Sequence, residues 1–128
     1  MPQLSAFPSV FPVWWIAGTA SVGLVVSLVA LLAYGHFRPA LSIGRREAVV
    51  MSILVGASIF AWRLSGNIPM LNDDPAGVLS PNDWLCPVLT YVVLGLYRGL
   101  RSPDQSAAWD RSRAIATIVS FAVNVITI

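Results

Sequence analysis

The residues of this chain that could do chemistry are few and scattered. His36 is its one histidine, placed in Tyr34-Gly35-His36-Phe37-Arg38 at the end of an apolar stretch. A neutral imidazole there could supply the single axial ligand that the magnesium of a chlorophyll-type pigment needs from protein. It could also give one ligand to a haem, with Met51 as the second. The competing reading is plain anchoring, because amphipathic side chains gather at membrane interfaces whatever else they do. Cys86 is alone, which excludes an intrachain disulfide or thiolate cluster and reads as small apolar filling. Asp83 stands three residues after Ser80, where a helix cap accounts for it better than proton transfer does. Thr117, Ser120, Asn124 and Thr127 recur at spacings of three, four and three, so a helix carries all four on one face. Such a face needs hydrogen-bonding partners and suits helix packing. A pore lining is the sharper alternative, and it lacks the deep charged residues that would support it. No catalytic motif is present, so neither an enzyme nor a metal site is expected.

Four apolar stretches have to position these residues. The 128 residues are 56% hydrophobic and 11% charged, against about 25% charged in soluble domains. All eight basic residues are arginine. Arg38, Arg45 and Arg46 follow the first stretch, Arg98, Arg101, Arg111 and Arg113 lie between the third and fourth, and Arg63 is alone between the second and third. The positive-inside rule then puts the first and third gaps in the cytoplasm and both termini on the other side. The arginines adjoin apolar segments instead of forming a basic patch, so nucleic acid is not an expected partner. No charge precedes Arg38, unlike a signal peptide with its basic start, and cleavage is not expected.

The expected fold is therefore all-α: one integral membrane domain over residues 1–128, with helices at about 10–35, 45–66, 81–100 and 103–128 and an extramembrane loop at 67–80. Val10 to Tyr34 is uncharged and spans about 37 Å as a helix, more than the ~30 Å hydrocarbon core. Phe7, Phe11, Trp14 and Trp15 mark its outer end, with Tyr34 and Phe37 at the inner one, as in an aromatic belt. The run from Ala48 to Trp62 gives only about 22 Å, and snorkelling of Arg63 to the headgroups is expected to lengthen it. Ser80-Pro81-Asn82-Asp83 and Ser102-Pro103-Asp104-Gln105 share one form, a serine cap followed by proline at the first helical position. Pro87 predicts a modest kink in the third helix. The charged first turns of the fourth helix, with Asp104, Trp109, Asp110, Arg111 and Arg113, are expected at or above the membrane surface. Its apolar run from Ala114 to Ile128 reaches only about 22 Å and is expected to meet a thinned leaflet or neighbouring protein.

Small residues permit close approach between helices: Thr19, Gly23 and Ser27, then Ser52 and Gly56, then Gly95 and Gly99. The expected function is a non-catalytic small subunit of a larger membrane complex, such as a respiratory or photosynthetic one in an inner or energy-transducing membrane. Its expected partners are other integral membrane subunits and lipids, with a chlorophyll-type pigment, carotenoid or quinone tail as conceivable occupants. The alternative is a homo-oligomeric pore or holin-like protein. A small drug-exporter-type transporter ranks below both, because the first span carries no acid for proton coupling.

Overall fold

The computed structural model describes residues 10–72, 80–101 and 106–127, and among these its only regular elements are helices, without strands. Five α-helices follow in order: α1 Val13–Phe37, α2 Gly44–Ser65, the single turn α3 Pro69–Asn72, α4 Pro81–Arg101 and α5 Ser106–Thr127, with a 3₁₀ turn Pro39–Leu41 between α1 and α2. The helix start read at Ser102 to Gln105 lies outside the described residues. So does the 73–79 part of the connection read as a loop, whose earlier part winds into α3.

Local chemistry sets these limits. The Pro12 carbonyl opens α1 by accepting Trp15 N and Ile16 N at 3.0 and 3.2 Å. Pro39 ends it, because a proline disfavours helical backbone in the residue before it. Gly44 begins α2 with φ +85°, a left-handed conformation that glycine reaches without a steric penalty. At the start of α4, Asp83 N donates to Ser80 O at 3.0 Å and Ser80 N donates back to Asp83 Oδ2 at 2.8 Å. This reciprocal pair satisfies donors that a helix start would otherwise leave open.

The four long helices run alternately down and up. α1 packs on α2, α2 on α4, α4 on α5 and α5 back on α1, which closes a ring with α2 and α5 touching across its middle. The end holding Val13, Ser65, Pro81 and Thr127 is the upper end below; Phe37, Gly44, Arg101 and Ser106 mark the lower one. α1 and α2 are each long and apolar enough to cross a membrane.

Burial is inverted relative to a soluble bundle. Ser27, Ser52, Thr90, Ser120 and Asn124 are fully buried, while Val25, Val29, Val88, Leu96, Ile118 and Ile126 are more than half exposed. An apolar interior remains around Met51, Val55, Ile59, Leu94 and Ala116. Close contact between α1 and α2 depends on glycine. A Cβ on Gly56 would stand 3.2 Å from both the Ala20 carbonyl oxygen and Leu24 Cβ.

The first turns of α5 depart from the expected exposed position. Asp110 and Arg111 are exposed, but Ala108, Trp109 and Ser112 are buried. Trp109 is an anchor because its ring stacks at 5.5 Å on Tyr97 of α4. The Tyr97 hydroxyl in turn donates to Glu47 Oε2 of α2 at 3.1 Å.

Candidate functional site

The densest chemistry lies at the upper end, around an arginine in the last turn of α2. Arg63 is 1% exposed, so it does not snorkel to a headgroup layer as its position near a helix end suggested. Its Nη2 donates to Asp83 Oδ1 at 2.7 Å and its Nε to Asn124 Oδ1 at 2.7 Å. One side chain thus ties α2 to α4 and α5. The helix-start role of Asp83 accounts for only one of its oxygens, since the other is spent on this ion pair. Asn124 completes its own bonding by donating Nδ2 to Ser120 O at 2.7 Å. Arg63 Nη1 is buried without a hydrogen-bond partner among the described residues.

A second chain of amides runs outward from the same place. Trp62 Nε1 donates to Asn82 Oδ1 at 2.8 Å, and Asn82 Nδ2 donates to Gly66 O at 2.9 Å and to Asn72 Oδ1 at 2.7 Å. Asn72 Nδ2 donates to Asn67 Oδ1 at 2.9 Å. Asn67 then grips the backbone ahead of α1 twice, accepting from Phe11 N at 2.9 Å and donating to Phe11 O at 2.8 Å. Three asparagines therefore join the entry to α1, the end of α2, the turn α3 and the start of α4. Nearly every amide group finds a partner, as buried polar groups must.

Below this cluster, three hydroxyls bridge three helices. Thr90 Oγ1 of α4 lies 2.7 Å from Ser58 Oγ of α2 and 2.9 Å from Ser120 Oγ of α5. The polar face of α5 is thus used inside the bundle. Ser120 meets α4, Asn124 meets α2, and Thr127 Oγ1 donates to Thr19 Oγ1 of α1 at 3.2 Å. Thr117 bonds its own helix at Arg113 O, 2.8 Å away. Gly95 lies against the Arg113 guanidinium, and Gly99 has open space where a Cβ would go.

His36 is exposed at the lower end, its ring 5.2 Å from that of Phe37, and it borders a hollow with Ser42, Gly44 and Arg45. Met51 is fully buried in the core. The structure does not bring Met51 into that hollow with His36. Cys86 is buried on α4. No group of three or more His, Cys, Asp or Glu side chains that could hold a metal ion occurs among the described residues.

Comparison with family models, curated proteins and solved structures returns no match. The site must therefore be read on its own chemistry. All its ionisable groups are engaged with one another, and what they do is hold helices together. The outer surface offers two further features, both beside α5. One groove between α4 and α5 is lined by Trp84, Val88, Tyr91, Thr117, Ile118 and Phe121, and another between α1 and α5 by Trp14, Trp15, Gly18, Val22 and Thr127. The second is closed at its top by Trp15 Nε1 donating to Thr127 O at 3.0 Å.

Sequence reasoning missed the meeting of Arg63 with Asp83. A usable signal was present. One arginine and one aspartate lie at the same end of consecutive apolar stretches, and an ionisable residue within a span calls for a partner of opposite charge.

Proposed function

We propose that the chain is a non-catalytic subunit of a larger membrane assembly, crossing the bilayer four times with the arginine-rich lower end in the cytoplasm and both ends outside. The observation that carries this reading is the inverted burial. Serines, threonines, asparagines and one arginine–aspartate pair point inward and most of them bond within the bundle, whereas many valines, leucines and isoleucines point outward. In lipid every polar group needs an internal partner and apolar side chains can face out freely. On α4 and α5 the polar residues Asn82, Asp83, Thr90, Ser112, Ser120 and Asn124 are turned into the bundle.

A pore needs a wetted polar lining, and the same polar residues here are buried in direct contact. Arg63, Asp83 and Cys86 are all enclosed, and the subunit reading assigns docking of neighbouring subunits and lipids to the outer surface, grooved on both sides of α5.

The test is purification from native membranes in mild detergent. Co-migration with a defined larger complex is the expected result. A ring made of this chain alone, or lysis of cells on overexpression, would sink the subunit reading in favour of a pore.

A further inference from the structure

Arg113 of α5 holds its guanidinium against α4. Its Nε and Nη2 both donate to Tyr91 O, at 2.9 and 2.6 Å, and its guanidinium carbon lies 3.4 Å above the Tyr91 ring. Gly95 leaves the room that the guanidinium occupies, since a Cβ there would collide with it. The group is therefore held in one place by a carbonyl, a ring and a glycine, none of which carries a negative charge. Among the described residues the ion pairs are Arg63 with Asp83 and Arg98 with Asp110, so no described carboxylate answers Arg113.

Its depth makes this costly. Gly95, beside Arg113, stands fourteen positions after Pro81, where α4 begins. That is about 21 Å of helix, short of the ~30 Å core. On the four-crossing reading the guanidinium thus lies inside the span, on a face whose neighbours Val88, Val92 and Ile118 are 58%, 47% and 66% exposed. A cation at that depth requires an anion or a local defect in the bilayer.

The groove between α4 and α5 starts beside this arginine, at Tyr91, which the guanidinium stacks on, and Thr117, which bonds the Arg113 carbonyl. It rises from Tyr91 and Thr117 past Val88 and Ile118 to Trp84 and Phe121, enclosing about 410 Å³ lined almost wholly by carbon. We propose that Arg113 and the groove above it bind an anionic phospholipid of the cytoplasmic leaflet, its phosphate on the guanidinium and an acyl chain along the groove. The phosphate supplies the missing charge, and the chain covers the exposed carbon. This inference rests on the membrane reading above.

The test uses the full chain with Ile118→Cys carrying a bimane fluorophore, in phosphatidylcholine vesicles. Cys86 is buried and leaves the label at one position. The vesicles contain a minor fraction of either chain-brominated phosphatidylglycerol or chain-brominated phosphatidylcholine as quencher. With Arg113 present, phosphatidylglycerol should associate about fivefold more strongly than phosphatidylcholine, as one arginine near anionic lipid provides. Arg113→Gln should bring the two to parity with helix content unchanged. Parity with Arg113 in place overturns the proposal, as does a preference that survives in Arg113→Gln. If Arg113→Gln fails to fold, the comparison made with Arg113 intact still decides. Absence of quenching by both lipids puts Ile118 outside the bilayer and overturns the membrane reading together with the lipid site, which separates that failure from parity.

Discussion

Arg63 shows how an ionisable residue can stabilise a bundle from within. Removing charge from water is expensive, and a buried ion pair recovers that cost only when its geometry is good and the remaining donors are satisfied. Here the guanidinium has Asp83 and Asn124 at 2.7 Å each while its Nη1 is left without a partner among the described residues, and Asp83 uses its second oxygen on the α4 start. Truncating either partner leaves the other charge buried alone. Arg63→Ala and Asp83→Ala should each destabilise the fold by about 3–5 kcal/mol, measured by reversible unfolding in mixed micelles. The double variant should cost clearly less than the sum, and strictly additive losses would mean that the two residues are not coupled. The hydroxyl bridge predicts a smaller effect. Thr90→Val removes bonds to both Ser58 and Ser120 and, on the membrane reading, should cost about 0.6–2 kcal/mol.

At the scale of elements, helix limits were legible because they depend on neighbours in sequence. The serine–proline start of α4 and the proline after α1 are local signals, and observed helices begin and end close to them. The partners of the polar residues were not legible, because Arg63 and Asn124 are 61 positions apart and meet only when α2 and α5 cross the ring's middle. An arginine at the end of an isolated apolar segment defaults to the headgroups, and only tertiary structure gives it Asp83 instead. Glycines divide in the same way. Gly95 and Gly99 form one formal motif, but Gly95 makes room for Arg113, Gly99 touches nothing, and Gly56 is the one that brings two helix backbones together. Gly56→Val should therefore overpack the α1–α2 contact and cost about 1–3 kcal/mol. Gly99→Ala should be neutral or stabilise by up to about 1 kcal/mol through helix propensity. Equal losses at the two positions in the same unfolding assay would contradict this assignment.

For the whole molecule, one proposed topology places the buried network, the grooves and the arginines relative to the membrane. The upper end carries the asparagine chain and Trp14 and Trp15; the lower end carries Arg38, Arg45, Arg46, Arg98 and Arg111, all at least partly exposed. A guanidinium is held back from crossing far more strongly than an amide or indole, so this asymmetry favours one orientation. Two exposed positions probe it without touching the network. Ala40 lies in the turn between α1 and α2, and Ile68, 44% exposed, follows α2 at the other end. In intact cells a membrane-impermeant maleimide should label Ile68→Cys at once and Ala40→Cys only after permeabilisation, with buried Cys86 giving little background. The reverse pattern would invert the orientation and move Arg113 and its groove to the opposite leaflet. Labelling of both from outside would mean that α2 does not cross, and the ring of four spans would then have to be abandoned, because α2 contacts each of the other three long helices.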